Sequence, residues 1–254
     1  MNHHLRFVAI ASVSLIVAFG GTSASAAELR IMGAGPFERT IEELAATFTR
    51  DTGHKVTGMY NTVGWLQDRL KAGEKPDVLI LTASAMEAME KAGSLVAGSR
   101  VEVGVATTGF AVRAGAPAPD ISTPEAIKKT LIAARSVAYV DPAGGGTTGI
   151  FFAGFLTRLG IADEVNRKAI RPQRGSQVAD AIADGRAEIG TTNVSELLPN
   201  KGVKVISPIP DPHGLVINYV GGIAAGSANR EVARSFLAVL TSAAAREKLK
   251  AAGL

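Results

Sequence analysis

The chain has 254 residues, 27 Lys and Arg against 23 Asp and Glu, a net charge of +4, and no cysteine. Thiol catalysis and thiolate-held metals are therefore excluded. A mildly basic balance with only 5% aromatic residues and no run of Lys and Arg does not make a nucleic-acid groove, so no nucleic-acid partner is expected. The small basic excess reads as a soluble surface with a bias toward anionic ligands.

The first residues predict a cleavable export signal over 1–26. Arg6 gives a positive start, Phe7 to Phe19 is apolar and uncharged, and Ala24-Ser25-Ala26 supplies the small-x-small cleavage pattern. The apolar stretch falls short of the roughly 20 residues that span a membrane. The mature chain is expected to begin near Ala27 and to reside in the periplasm. Only His54 and His213 remain in it, so no metal site is expected.

From Leu29 the pattern alternates between strand and helix. Leu29 to Met32 reads as a strand, and Phe37, Ile41, Leu44, Ala45 and Phe48 recur at helical spacing. Lys55 to Tyr60 is a second strand, followed by a helix marked by Trp65, Leu66 and Leu70. The run Val78 to Leu81 suits a parallel strand covered on both faces, and Met86 and Met89 sit on a helix ending at Gly93. Val101 to Val112 is a long strand-like stretch leading into a Gly-Pro loop at 115–119. Thr123-Pro124-Glu125 is a helix start with a capping hydroxyl and an early proline. Val137 to Val140 and Ala187 to Gly190 read as strands. Phe151, Phe152, Phe155, Leu156 and Leu159 mark one helix, and Val178, Ala181 and Ile182 another. A second α/β unit thus spans about 108 to 212. Leu215 to Ile223 is a last strand, before a helix carrying Val232, Ala233, Phe236, Leu237 and Leu240 and capped by Asn229.

Four connections place small or polar residues between a strand and a helix: 33–36, 61–64, 144–148 and 174–176. In an α/β sheet such connections lie at the carboxyl ends of the strands, where ligands bind. Each helix start offers free N–H groups and the positive end of a dipole, which favour an anion. The candidate ligand contacts are Ala34, Gly35, Thr62, Val63, Gly64, Gly145, Gly146, Thr147, Thr148, Arg174 and Asn193. Each loop also has a purely conformational reading, because glycine after a strand is the ordinary turn residue. Arg171 and Arg174 could grip a carboxylate or simply stand in solvent.

Cofactor and hydrolase motifs are missing. The triple glycine 144–146 has no lysine after it, and Gly33-Ala34-Gly35 does not continue into a dinucleotide fingerprint. No Gly-x-Ser-x-Gly elbow or His-Glu-x-x-His helix occurs, so no cofactor is expected. Asp141 and His213 are the candidates for acid–base work, and both are also ordinary turn residues beside proline.

From Glu28 to Leu254 these pieces, in this order, resemble the type II periplasmic solute-binding proteins, in the group that includes the molybdate-binding proteins. The resemblance rests on Leu29 to Glu43, Leu70 to Val78, Asp141 to Thr147, Ala181 to Gly190 and the tail from Phe236 to Leu254. It implies an α/β, two-lobed periplasmic binding protein type II fold, each lobe a mixed sheet flanked by helices, joined by two crossover strands. Lobe 1 would be 27–107 plus 214–254 and lobe 2 would be 108–213. It also implies a monomer that delivers a small anionic ligand to a membrane ABC transporter permease.

Molybdate binders of this group typically carry serines in the first two loops and a tyrosine after the Ala-Glu-Ile-Gly-like strand. Here those places hold Gly35-Pro36, Val63-Gly64 and Thr192-Asn193-Val194. The stretch Gly144 to Gly149, with Ile189-Gly190 leading to Ser195 to Leu198, looks closer to a divergent branch that includes aconitate isomerase. Two readings therefore stand. One is a binding protein for an oxyanion such as molybdate or for an organic acid. The other is an isomerase moving a double bond in a tricarboxylate, with His213 and Asp141 as acid and base and Arg171 and Arg174 holding carboxylates.

Overall fold

The computed structural model describes residues 26–209 and 214–254, so the expected export signal up to residue 25 and His213 lie outside the described residues. The first half of the chain forms β1 (Glu28–Ala34), α1 (Glu38–Thr52), β2 (Lys55–Asn61), α2 (Val63–Lys71), β3 (Val78–Thr82), α3 (Ala83–Lys91) and the long β4 (Val101–Arg113). Then come α4 (Pro124–Ala133), β5 (Val137–Tyr139), α5 (Thr147–Arg158), α6 (Ala162–Asn166), β6 (Ala169–Ile170), α7 (Gly175–Ala183), β7 (Ile189–Asn193), α8 (Val194–Leu197) and β8 (Val203–Pro208). The chain closes with β9 (Val216–Ile223), α9 (Arg230–Leu240) and α10 (Ala243–Ala251).

The strands run in the order β2-β1-β3-β9-β4-β7-β5-β6, with β8 added to β4. Strands β1, β2 and β3 are parallel, and β9 joins antiparallel. On the other side β5, β6 and β7 are parallel, while β4 is antiparallel to β7 and β8. Strand β4 serves both halves. Its residues 101–107 pair with β9, and its residues 108–112 pair with β7. A register shift between Glu102 and Gly104 bends β4 on the β9 side.

The apolar pattern explains which faces are covered. All five residues of β3 are buried, as a strand with helices on both faces requires. Helix α1 buries Ile41, Leu44, Ala45 and Phe48, and α9 buries Ala233, Phe236, Leu237 and Leu240. Phe48 meets Phe236 edge-on at 5.3 Å, and burying Phe236 completely contributes about 2–3 kcal/mol. This core draws its buried residues from 29–106 and 217–249. Two further clusters draw theirs from 110–209, around Phe110, Phe152 and Tyr139 on one face and Val178 and Ile182 on the other. The fold is thus two α/β lobes that share β4 and are closed by the returning β9.

Two local details differ from the sequence reading. Asn229 stands at the head of α9 without a side-chain cap; its Nδ2 donates instead to Asp77 Oδ1 (3.3 Å) and to the Glu28 carbonyl (3.1 Å). Buried Asp77 collects these donors together with Ser227 Oγ (2.6 Å) and the Arg30 N–H (2.9 Å). Helix α10, the short α6 and the edge strands β6 and β8 were not anticipated. Thr123 does cap α4, its Oγ1 accepting from the Ala126 N–H at 3.1 Å.

Candidate functional site

Because β1 and β2 are parallel, their carboxyl ends open on one edge, at Ala34 and Asn61. Across the sheet β5 and β7 end at Tyr139 and Asn193, facing them. A narrow cleft of about 30 Å³ lies between these edges. Lobe 1 lines it with Ala34, Gly35, Pro36, Asn61, Thr62, Val63 and Tyr219; lobe 2 adds Val140, Gly146, Thr147, Thr148, Arg174, Gly175, Asn193 and Glu196. The heads of α2, α5 and α7 and of the 3-10 turn at Gly35–Phe37 converge there. Their first-turn N–H groups have no partner within the helix and point a positive dipole end at one small space.

The two lobes touch at the rim. The Gly64 N–H donates to the Gly145 carbonyl at 3.2 Å. Thr62 Oγ1 donates to the Gly144 carbonyl at 2.8 Å while accepting from the Trp65 N–H as the cap of α2. Arg174 pairs with Glu38 at the head of α1. Gly145 sits at φ 68°, a left-handed conformation in which side chains are strained. A Cβ on Gly64 would stand 2.6 Å from the Gly145 α-carbon, so the rim closes only over bare backbone.

Glu196, at the start of α8, is the acid of the cleft. Its Oε2 accepts from Asn193 Nδ2 (2.7 Å) and Thr192 Oγ1 (2.9 Å). Gly175 permits this position, since a Cβ there would lie 2.1 Å from the same oxygen. Burial pushes the Glu196 carboxyl above its ordinary value, and the Asn193 and Thr192 hydrogen bonds and the Arg174 charge only partly offset it. Burial likewise raises Glu38 despite Arg174 beside it. Burial also raises the Tyr219 phenol, with Glu196 adding to the effect.

Of the residues read from sequence, Ala34, Gly35, Thr62, Val63, Gly146, Thr147, Thr148, Arg174 and Asn193 line this one cleft. Gly64 and Gly145 do not line it; they meet each other at its rim. Asp141 lies off the lining and is occupied locally, accepting from the Ala143 N–H (3.0 Å) and from Gln173 Nε2 (3.3 Å). Arg171 is also elsewhere, stacked over Tyr139 and donating to its hydroxyl at 3.0 Å. The sequence reading named neither Glu196 nor Tyr219 as a contact. The signal for Glu196 was the acid three residues after Asn193 at a helix head, close enough for its carboxyl to reach back to the strand end.

Residues 29–254 match the family model described as bacterial extracellular solute-binding protein. The chain is 31% identical over 231 residues to aconitate isomerase of Pseudomonas sp., covering 89% of this chain and 87% of that protein. It is 27% identical over 195 residues to the molybdate-binding protein ModA of Azotobacter vinelandii, covering 72% and 73%. Among solved structures, the periplasmic molybdate-binding protein of Azotobacter vinelandii superposes with a TM-score of 0.71 at 21% identity, over 89% of this chain and 97% of that one. With the match spanning essentially every described strand and helix, the chain belongs to the bacterial extracellular solute-binding protein family.

Proposed function

We propose that this protein captures a small anion in the periplasm by closing its two lobes over it, and presents the loaded form to an ABC transporter permease as a monomer. The observation that carries this reading is the convergence of helix heads from both lobes on one cleft whose only lining cation among the described residues is Arg174. Backbone N–H groups then supply most of the binding, which suits an anion that must be released again. Lobe 1 (27–107 plus 214–254) and lobe 2 (108–213) would move as units, bending β4 near Thr107 and Thr108. Calorimetric titration of small oxyanions and organic acids tests the reading: saturable one-to-one binding supports it, and an Arg174→Ala variant that binds with unchanged affinity contradicts it.

A second reading is favoured by one observation, the raised Glu196 carboxyl enclosed opposite Arg174, alongside the likeness to aconitate isomerase. In it Glu196 accepts a proton from the carbon beside the double bond and returns it at the far end of the allylic system, while Arg174 holds a carboxylate. Proton NMR of trans-aconitate with the protein decides it. Conversion abolished by Glu196→Gln supports the isomerase, and an unchanged spectrum at high protein concentration rejects it for this substrate.

A further inference from the structure

A cleft made only of helix heads would be all donors, and it would suit any anion. This one also holds acceptors. Asn193 is 3% exposed, and with its Nδ2 committed to Glu196, its Oδ1 has no hydrogen-bond partner among the described residues. Glu196 receives both of its side-chain donors on Oε2, no side-chain donor among the described residues reaches Oε1, and the carboxyl also accepts from the Asn193 backbone N–H. The charged and titratable groups around this carboxyl are Arg174 at the head of α7, Glu38 at the head of α1 and Tyr219 on β9. Arg174 is already shared with Glu38.

Buried acceptors left without donors are costly. An anion whose oxygens are all acceptors would leave Asn193 Oδ1 unpaired and set a second negative oxygen against the Glu196 carboxylate, an arrangement in which both cannot stay ionised. We propose that Asn193 and Glu196 make the cleft select an anion that carries its own O–H donor, in the manner of a hydroxycarboxylate or a monohydrogen phosphate, over one without it. The inference rests on the anion-binding reading given above and narrows its ligand class.

The proton balance differs between the two kinds of ligand. Above the folded value of the Glu196 carboxyl, where it is ionised in the free protein, an O–H-bearing anion donates a hydrogen bond to it and no proton is exchanged with solvent. Sulfate has none to give, so Glu196 must first take one proton from solvent and then donate it to a sulfate oxygen. Sulfate binding therefore strengthens as pH falls and takes up one proton.

The test is calorimetric titration of the mature protein with two matched pairs, phosphate against sulfate and malate against succinate. The pairs also separate a phosphate ligand from a hydroxycarboxylate. In the pair that binds, the O–H-bearing member is expected to be favoured about tenfold or more. Glu196→Gln should shrink that preference to about threefold or less by making the acceptor neutral. Wild-type titrations of sulfate in buffers of different ionisation heat read the proton uptake without any variant. Equal affinities within a binding pair, a preference that survives Glu196→Gln in a protein of native circular dichroism, or sulfate binding without proton uptake would overturn the inference while leaving anion capture intact. Absence of binding by all four anions would also overturn the inference, and would leave anion capture to be decided with oxyanions and organic acids outside these pairs.

Discussion

Gly64 and Gly145 meet across the cleft, the N–H of the first donating to the carbonyl of the second at 3.2 Å. No side chain fits between them, because a Cβ on either would come within 2.6 Å of the other's α-carbon. Closure of the two lobes is therefore read out at one glycine pair.

Gly64→Ala is the gentler test of this contact, since Gly64 is not among the glycines in the left-handed conformation and Gly145 is. The variant is expected to fold with near-wild-type stability, stay partly open, and bind ligand about tenfold or more weakly, a loss of roughly 1.4 kcal/mol. Small-angle scattering of the liganded protein checks the geometry. Trp65, the only tryptophan of the chain, is 37% exposed beside Gly64 and reports closure by fluorescence.

Arg174→Ala should separate binding from folding. The Arg174–Glu38 pair is about one-third exposed on each side, so its loss costs at most about 1 kcal/mol of stability. Ligand affinity should fall far more, about tenfold to a hundredfold, because Arg174 is the one cation in the lining among the described residues. Parallel melting and titration curves check the two effects separately.

Asp77 gives the opposite separation. It is buried well away from the cleft lining and gathers Arg30, Ser227 and Asn229 into one knot between β1, β3 and α9. Asp77→Ala orphans those donors and is expected to cost about 3 kcal/mol, or roughly 6–12 °C in Tm. At a temperature where the variant is folded, its ligand affinity should match the wild type.

Glu196 links the cleft to pH. Burial raises its folded carboxyl above the ordinary 4.5, so the folded protein holds a proton over a range in which the unfolded chain has lost it. The contribution of this group to stability is complete below about pH 4.5 and is lost as pH rises through its folded value. Other carboxylates titrate in the same region, so the quantity to measure is a difference. Glu196→Gln minus wild-type stability should increase from acid toward neutral pH in denaturant melts without ligand; a flat difference would contradict it.

Much of this was legible in the residues. The run Val78–Leu81 announced a strand covered on both faces, and glycine-rich connections after strands announced where a ligand could sit, because parallel strands must open their loops on one edge. What the residues could not announce was distance between them in space. Glu196 lies 158 positions from Glu38 and 22 from Arg174, and it is burial, against the opposing charge of Arg174, that makes its carboxyl a weaker acid. Asn229 looked like a helix cap by type and position, yet the buried carboxylate of Asp77 competes for its side chain. The edge strand β8 was missed because Val203-Lys204-Val205 is short and part polar, and it exists only by pairing with β4. Helix α10 starts at Ser242, whose Oγ accepts from the Ala245 N–H at 3.2 Å. That Ser-x-x-Ala signal is too common to announce a helix by itself.

The most direct test of anion capture is a thermal-shift measurement on the mature protein with molybdate, sulfate, phosphate, malate, citrate and cis- and trans-aconitate. At about a hundred times its dissociation constant, a true ligand adds about 2.7 kcal/mol, which for a chain of this size raises Tm by roughly 5–10 °C. The account predicts such a shift for at least one of these anions and its reduction by about half or more in both Gly64→Ala and Arg174→Ala at the same concentration. A protein that none of them stabilises, or a shift of undiminished size in both variants, would contradict it.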